Sequence, residues 1–127
     1  MYPIHLSLPY PPSVNHYWVW TGRGWTIGKK GRTFINDVKW LTAGKPKGIT
    51  DRLIASAYVY PPDNRRRDLD NINKAIWDSL EKAGIYENDS QIDELHMYRM
   101  PVCKPGKVEI VLNEFISPPQ NQGGNYD

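Results

Sequence analysis

The chain has 127 residues, 39% of them hydrophobic and 24% charged, with a formal net charge of +2, values that describe one globular domain with a single modest core. No apolar run approaches the ~18 residues that cross a bilayer, and residues 1–9 lack the basic and apolar regions of a secretory leader, so cytoplasm is the expected location. Cys103 is the only cysteine and the three histidines are scattered, which excludes an intramolecular disulfide and argues against a zinc framework.

In chain order, Ile4, Leu6 and Leu8 alternate with His5 and Ser7 and predict a short strand, ended by Pro9 and Pro11-Pro12. Residues 13–33 mix Tyr17, Trp18, Trp20 and Trp25 with glycines and bases, and no regular element is expected there. Gly22-x-Gly24-x-x-x-Gly28 lacks the spacing and the strand-to-helix setting of a dinucleotide loop. Phe34, Val38 and Leu41 predict a helix over Thr33–Ala43, stopped by Gly44 and Pro46. Residues 53–60 form the best strand candidate, and Pro61-Pro62 ends it. Leu69, Ile72, Ile76, Leu80 and Ala83 recur at three or four residues and predict a helix over Leu69–Ala83, closed by Gly84. Residues 92–100 and 107–113 alternate as two strands, expected to pair as a hairpin about Lys104-Pro105-Gly106. The expected fold is α+β, a small mixed β-sheet with two helices packed on it in the order β-α-β-α-β-β. One domain over residues 1–116 and a flexible tail over 117–127 complete the organisation.

Charge is segregated along the chain. Residues 21–49 carry seven Lys or Arg, including Lys29, Lys30 and Arg32, against Asp37 alone. Residues 68–94 carry eight Asp or Glu against Lys74 and Lys82, directly after Arg65-Arg66-Arg67. A surface for a phosphate backbone beside a pocket for a divalent cation needs such segregation. Asp68 and Asp70 fall at the start of the predicted central helix, where one of them could simply cap it. A helix needs only one such cap, however, and two unscreened carboxylates repel. Asp70 and Lys74, at i and i+4, could likewise form an ordinary salt bridge. An EF-hand is excluded because Ile72 and Asn73 stand where a ligand and a glycine belong. Two carboxylates completed by a distant acid such as Asp89 suit Mg²⁺, which keeps waters and shares its shell with phosphate. Lys74 would offset charge growing on phosphoryl oxygens, and Arg65, Arg66 and Arg67 would hold flanking phosphates. Residue chemistry thus reaches a metal-dependent phosphodiesterase.

The run from Arg65-Arg66-Arg67-Asp68-Leu69-Asp70-Asn71 through Lys74-Ala75, Asp78, Leu80 and Lys82-Ala83-Gly84, followed by Asp89 and Gln91, resembles the RusA family of Holliday junction resolvases. The resemblance extends to Leu8-Pro9-Tyr10-Pro11-Pro12-Ser13-Val14-Asn15 and to Met100-Pro101-Val102. It implies a homodimeric, Mg²⁺-dependent endonuclease, with Mn²⁺ as the alternative ion, that cuts opposed strands of a four-way DNA junction and leaves 3′-hydroxyl and 5′-phosphate ends. It implies a phage origin, Asp68, Asp70 and Asp89 as metal ligands, and Lys74 as an essential lysine. Two departures stand out: Asn88 replaces the second Asp of many relatives, and the segment between the first long helix and Leu53 is short. A non-catalytic branched-DNA-binding module, its carboxylates serving only the helix, is the competing reading. Trp18, Trp20 and Trp25 are expected to pack in the core rather than stack on bases, and Trp40 and Trp77 to pack as well. Asn15 reads equally as a turn former and as a donor to DNA.

Overall fold

The computed structural model describes residues 1–117. The expected tail lies outside the described residues from position 118 onward. Strand β1 (Ile4–Pro9) buries Ile4, Leu6 and Leu8 and exposes the residues between them, as its alternation requires. The chain then forms a short helix α1 (Val14–Tyr17) and two short antiparallel strands, β2 (Trp18–Trp20) and β3 (Trp25–Ile27), which make a sheet of their own. Helix α2 (Lys29–Leu41) follows, beginning at Lys29 rather than at Thr33.

The expectation of irregular chain over residues 13–33 is therefore corrected, and two of the glycines that suggested it, Gly28 and Gly31, have a packing role. The Gly28 N–H donates to the Tyr17 carbonyl at 2.8 Å. A Cβ added to Gly31 would lie 2.7 Å from that same carbonyl oxygen, so only glycine lets α2 approach α1 this closely.

Strand β4 (Leu53–Tyr60) and helix α3 (Asp70–Lys82) fall where the sequence places them. Helix α3 ends in a Schellman motif on Gly84, whose φ is +83°: Gly84 N–H bonds to the Glu81 carbonyl at 2.9 Å and Ile85 N–H to the Leu80 carbonyl at 3.0 Å. Strands β5 (Ile92–Arg99) and β6 (Lys107–Glu114) complete the main sheet, whose order is β1-β6-β4-β5.

The expected pairing of the last two strands as a hairpin is overturned. Strand β4 lies between them, parallel to β5 and antiparallel to β6. The linker after β5 crosses the end of β4 instead of folding back on itself: Met100 N–H bonds to the Val59 carbonyl at 2.8 Å and Cys103 N–H to the Pro61 carbonyl at 2.9 Å. Turn residues at 104–106 signal a reversal but not what it wraps around, and the strand with the longest apolar alternation takes the centre, where both its edges are paired.

One face of the sheet, with Leu6, Ala55, Ala57, Val59, Val108, Ile110 and Leu112, joins Phe34, Val38, Ile72, Ile76 and Leu80 from α2 and α3 in a single core. Each large side chain buried there contributes about 1.5–3 kcal/mol over its exposed state. On the other face Tyr58 and Tyr98 stack with ring centroids 5.0 Å apart. Trp77 is buried as expected, but Trp20, Trp25 and Trp40 are 60%, 69% and 83% exposed, which corrects the expectation of core packing. Trp18 packs half-buried against the core edge. No helix among the described residues is long and apolar enough to cross a membrane.

Candidate active site

The site is built around the start of α3. Neither Asp68 nor Asp70 caps the helix: the N-cap position is Leu69, and no side chain bonds to the free N–H groups there. Asp70 occupies the first helical residue and is exposed. Asp68 is exposed as well, and only its backbone carbonyl is used, accepting from Asn71 N–H at 3.2 Å. Among the described residues neither carboxylate accepts a hydrogen bond or holds an ion pair. Lys74 forms an ion pair with Asp89, its Nζ 3.7 Å from Oδ2, rather than with Asp70. Both ordinary explanations of the acid pair, capping and an i,i+4 bridge, therefore fail.

The loop carrying Asp89 is rigidly framed. Gln91 is buried; its Oε1 accepts from the N–H groups of Glu87 and Asn88, both at 2.9 Å, while its Nε2 donates to the carbonyls of Ile49 and Asp51, also at 2.9 Å. Asn88 Oδ1 accepts from Ser90 N–H at 2.8 Å, so the amide that replaces an acid here caps the turn of residues 89–91. The Asp89 N–H donates to Glu81 Oε1 at 2.8 Å.

The arginine triplet divides its work. Arg67 forms a two-pronged ion pair with Asp63, one arm at 3.0 Å, and Asp63 also accepts from the Arg65 N–H at 2.9 Å. Hydrogen bonding from Arg67, then from the Arg65 backbone, holds the Asp63 carboxyl well below the usual carboxylate range. Arg66 is exposed and lines a cavity of about 320 Å³ with Ser13, His16, Arg67, Asp68 and Asn71. Lys74 and Asp89 line a second cavity of about 230 Å³ with Asn73 and Trp77. Lys29, Lys30 and Arg32 sit on the first turn of α2, outside both cavities, and Arg32 Nη1 donates to the Ile27 carbonyl at 2.8 Å. Asn15 is exposed on α1.

Ser13 and His16 were missed in the sequence, although their i,i+3 spacing puts them on one side of α1. Ser13 Oγ lies 2.9 Å from His16 Nδ1. A buried latch holds α1 over α3: the Tyr17 hydroxyl donates a short hydrogen bond to Asp78, which also meets Lys82 Nζ at 3.2 Å. Burial, then the bond to Asp78, pushes the Tyr17 hydroxyl far up, so it stays protonated and remains a donor.

Hard oxygen donors without partners are the donor set a divalent cation takes, and Mg²⁺ needs only one or two carboxylates when waters and substrate phosphate complete its shell. Asp68 and Asp70 fit that requirement. Among the described residues no three His, Cys, Asp or Glu side chains gather into a metal-holding group.

The family model described as Endodeoxyribonuclease RusA matches residues 9–113. Crossover junction endodeoxyribonuclease rusA of Enterobacteria phage HK97 is 38% identical over 112 residues, 87% of this chain and 93% of that protein. Its namesake from Enterobacteria phage 82 is 36% identical over 113 residues, 87% and 93% of the two chains. Crossover junction endodeoxyribonuclease RusA of Escherichia coli (strain K12) is 35% identical over 112 residues, covering 86% and 92%.

Proposed function

The chain belongs to the RusA family of endodeoxyribonucleases, and on that premise we propose that it is a Holliday junction resolvase that hydrolyses opposed strands of branched DNA. The observation that carries the reading is the pair Asp68 and Asp70, two like charges at one helix start with no structural partner. Asp68 and Asp70 would hold Mg²⁺, or Mn²⁺ in its place; Asp89, which lines the second cavity and pairs with Lys74, would have to leave that pairing and move toward the ion to serve as the third acid. Such an ion, when bound, polarises the scissile phosphate and lowers the pKa of a water beside it.

The chain's own residues supply the rest. Lys74, exposed and pinned by Asp89, stands ready to offset negative charge that grows on the phosphoryl oxygens. Arg66 faces the cavity without a carboxylate partner among the described residues and meets a flanking phosphate, while Arg65 and Arg67, clamped on Asp63, form a fixed positive wall. Lys29, Lys30, Arg32 and Asn15 extend the contact to the arms of the duplex. Residues 1–116 act as one domain, and two copies pair, because a substrate with two-fold symmetry is cut twice by an enzyme with the same symmetry.

The decisive test incubates a synthetic mobile four-way junction, and a linear duplex of the same sequence, with the protein and Mg²⁺, and resolves the strands on a denaturing gel. Paired symmetric nicks in the junction alone are expected. Binding without cleavage would instead leave a junction-binding module, and equal cutting of the linear duplex would remove the structure selectivity.

A further inference from the structure

We infer that the β2–β3 hairpin and α1 form a receptor for a nucleobase swung out of its stack beside the cut strand. The inference rests on the resolvase reading above and adds to it a ligand subsite. A cleft of about 420 Å³ is lined by Val14, Asn15, Trp18 and Trp25, which is three apolar walls and one amide. Trp25 and Trp20 meet edge to face, centroids 5.6 Å apart, and both stay exposed. A hairpin held outside the main sheet that shows two indoles to water gains little from packing them. An aromatic face left open in a groove is what a base stacks on. Asn15 adds an amide that both donates and accepts, as the edge of a base requires.

The cleft is built, not a loose flap. The hairpin is anchored at its base, where the Gly28 N–H donates to the Tyr17 carbonyl and Arg32 Nη1 of α2 to the Ile27 carbonyl, each at 2.8 Å. Its charge suits a polyanion: residues 13–36 contain Arg23, Lys29, Lys30 and Arg32 and no Asp or Glu. Its position suits the reaction, because Ser13, the N-cap of α1, and His16 line the cavity of Asp68 while Val14 and Asn15 line the tryptophan cleft. One short helix therefore walls both cavities, and a strand held by a phosphate at Asp68 would run past α1 with a neighbouring base available to Trp25.

The test places 5-iodouracil singly at each position flanking the branch point, binds the junction without metal, irradiates, and maps the adduct by mass spectrometry. An adduct on Trp25 or Trp18 from a position next to the branch is expected. In parallel, Trp25→Ala should weaken junction binding about ten- to hundredfold, leave binding of linear duplex unchanged, and be rescued in large part by Trp25→Phe. Thermal melts confirm that these variants fold. Adducts confined to other residues, or a Trp25→Ala protein that binds and cuts junctions as the unmodified chain does, would overturn the receptor while leaving the resolvase intact. A chain that neither binds nor cuts branched DNA would overturn both.

Discussion

Asp68 and Asp70 repel each other at the start of α3, and neither side chain accepts a hydrogen bond or holds an ion pair among the described residues. A cation bound between them would remove that repulsion. Asp70→Asn should therefore abolish Mg²⁺-dependent nicking yet leave junction affinity equal or tighter, since it removes a ligand and a repulsive charge together. Gel-shift and cleavage assays on one preparation separate the two effects, and a mutant that nicks normally refutes the assignment. Tyr17 makes a different kind of contribution, donating to the buried Asp78. Tyr17→Phe should cost about 1–3 kcal/mol, because the carboxylate keeps only Lys82; denaturant unfolding reads this directly. Asp63 has a pH signature. Its folded-state pKa is depressed by Arg67, so its contribution is present above the ordinary carboxylate pKa of about 3.9 and is lost as pH falls through the folded value. Melting temperatures of the wild type and of Asp63→Asn should differ near neutrality and converge in strong acid.

At the scale of elements, Gly31 decides how closely α2 lies on α1. A methyl group there meets a backbone carbonyl that cannot swing away, so Gly31→Ala should destabilise by about 1–3 kcal/mol. Because α1 carries Ser13 and His16 over Asp68, the same change should slow cleavage more than it weakens binding, a difference seen in single-turnover rates against gel shifts. Elements whose signal is local were legible in the sequence: β4 by its alternation and α3 by its three-and-four spacing both fell within a residue or two of expectation. Strand partnership was not legible, because β5 and β6 carry the same alternation whichever neighbour they pair with. The exposure of Trp20, Trp25 and Trp40 was hidden for a related reason: an indole reads as core material unless something shows that its neighbours face water. At the site, the residue types were visible but their partners were not. The Lys74–Asp89 contact joins a helix to a loop beyond its far end, and Asn88 shows its capping role only once Gln91 is seen beneath the turn.

For the whole molecule, symmetry is the remaining physical demand. Each chain offers one Asp68–Asp70 pair at the start of α3, so under the proposed function one copy would cut one strand at a time. Resolution of a four-way junction needs two opposed cuts, which a two-fold dimer provides by placing identical sites on identical arms. If the copies act independently within the dimer, pairing an intact chain with an Asp70→Asn chain should yield a protein that still binds the junction but nicks only one strand. Coexpression with two different affinity tags isolates that mixed dimer. On a native gel its product should remain a nicked junction, and on a denaturing gel only one of each opposed pair of strands should be cut in any molecule. Resolution by the mixed dimer to two linear duplexes would mean that one site serves both strands in turn, and the two-site arrangement would fall. Complete inactivity with intact binding would mean that one defective site silences its partner, which would refute independence while keeping the dimer. The outcomes differ because the proposed catalytic acids, Asp68 and Asp70, lie within one chain, so each copy would hydrolyse only the strand that reaches its own pair.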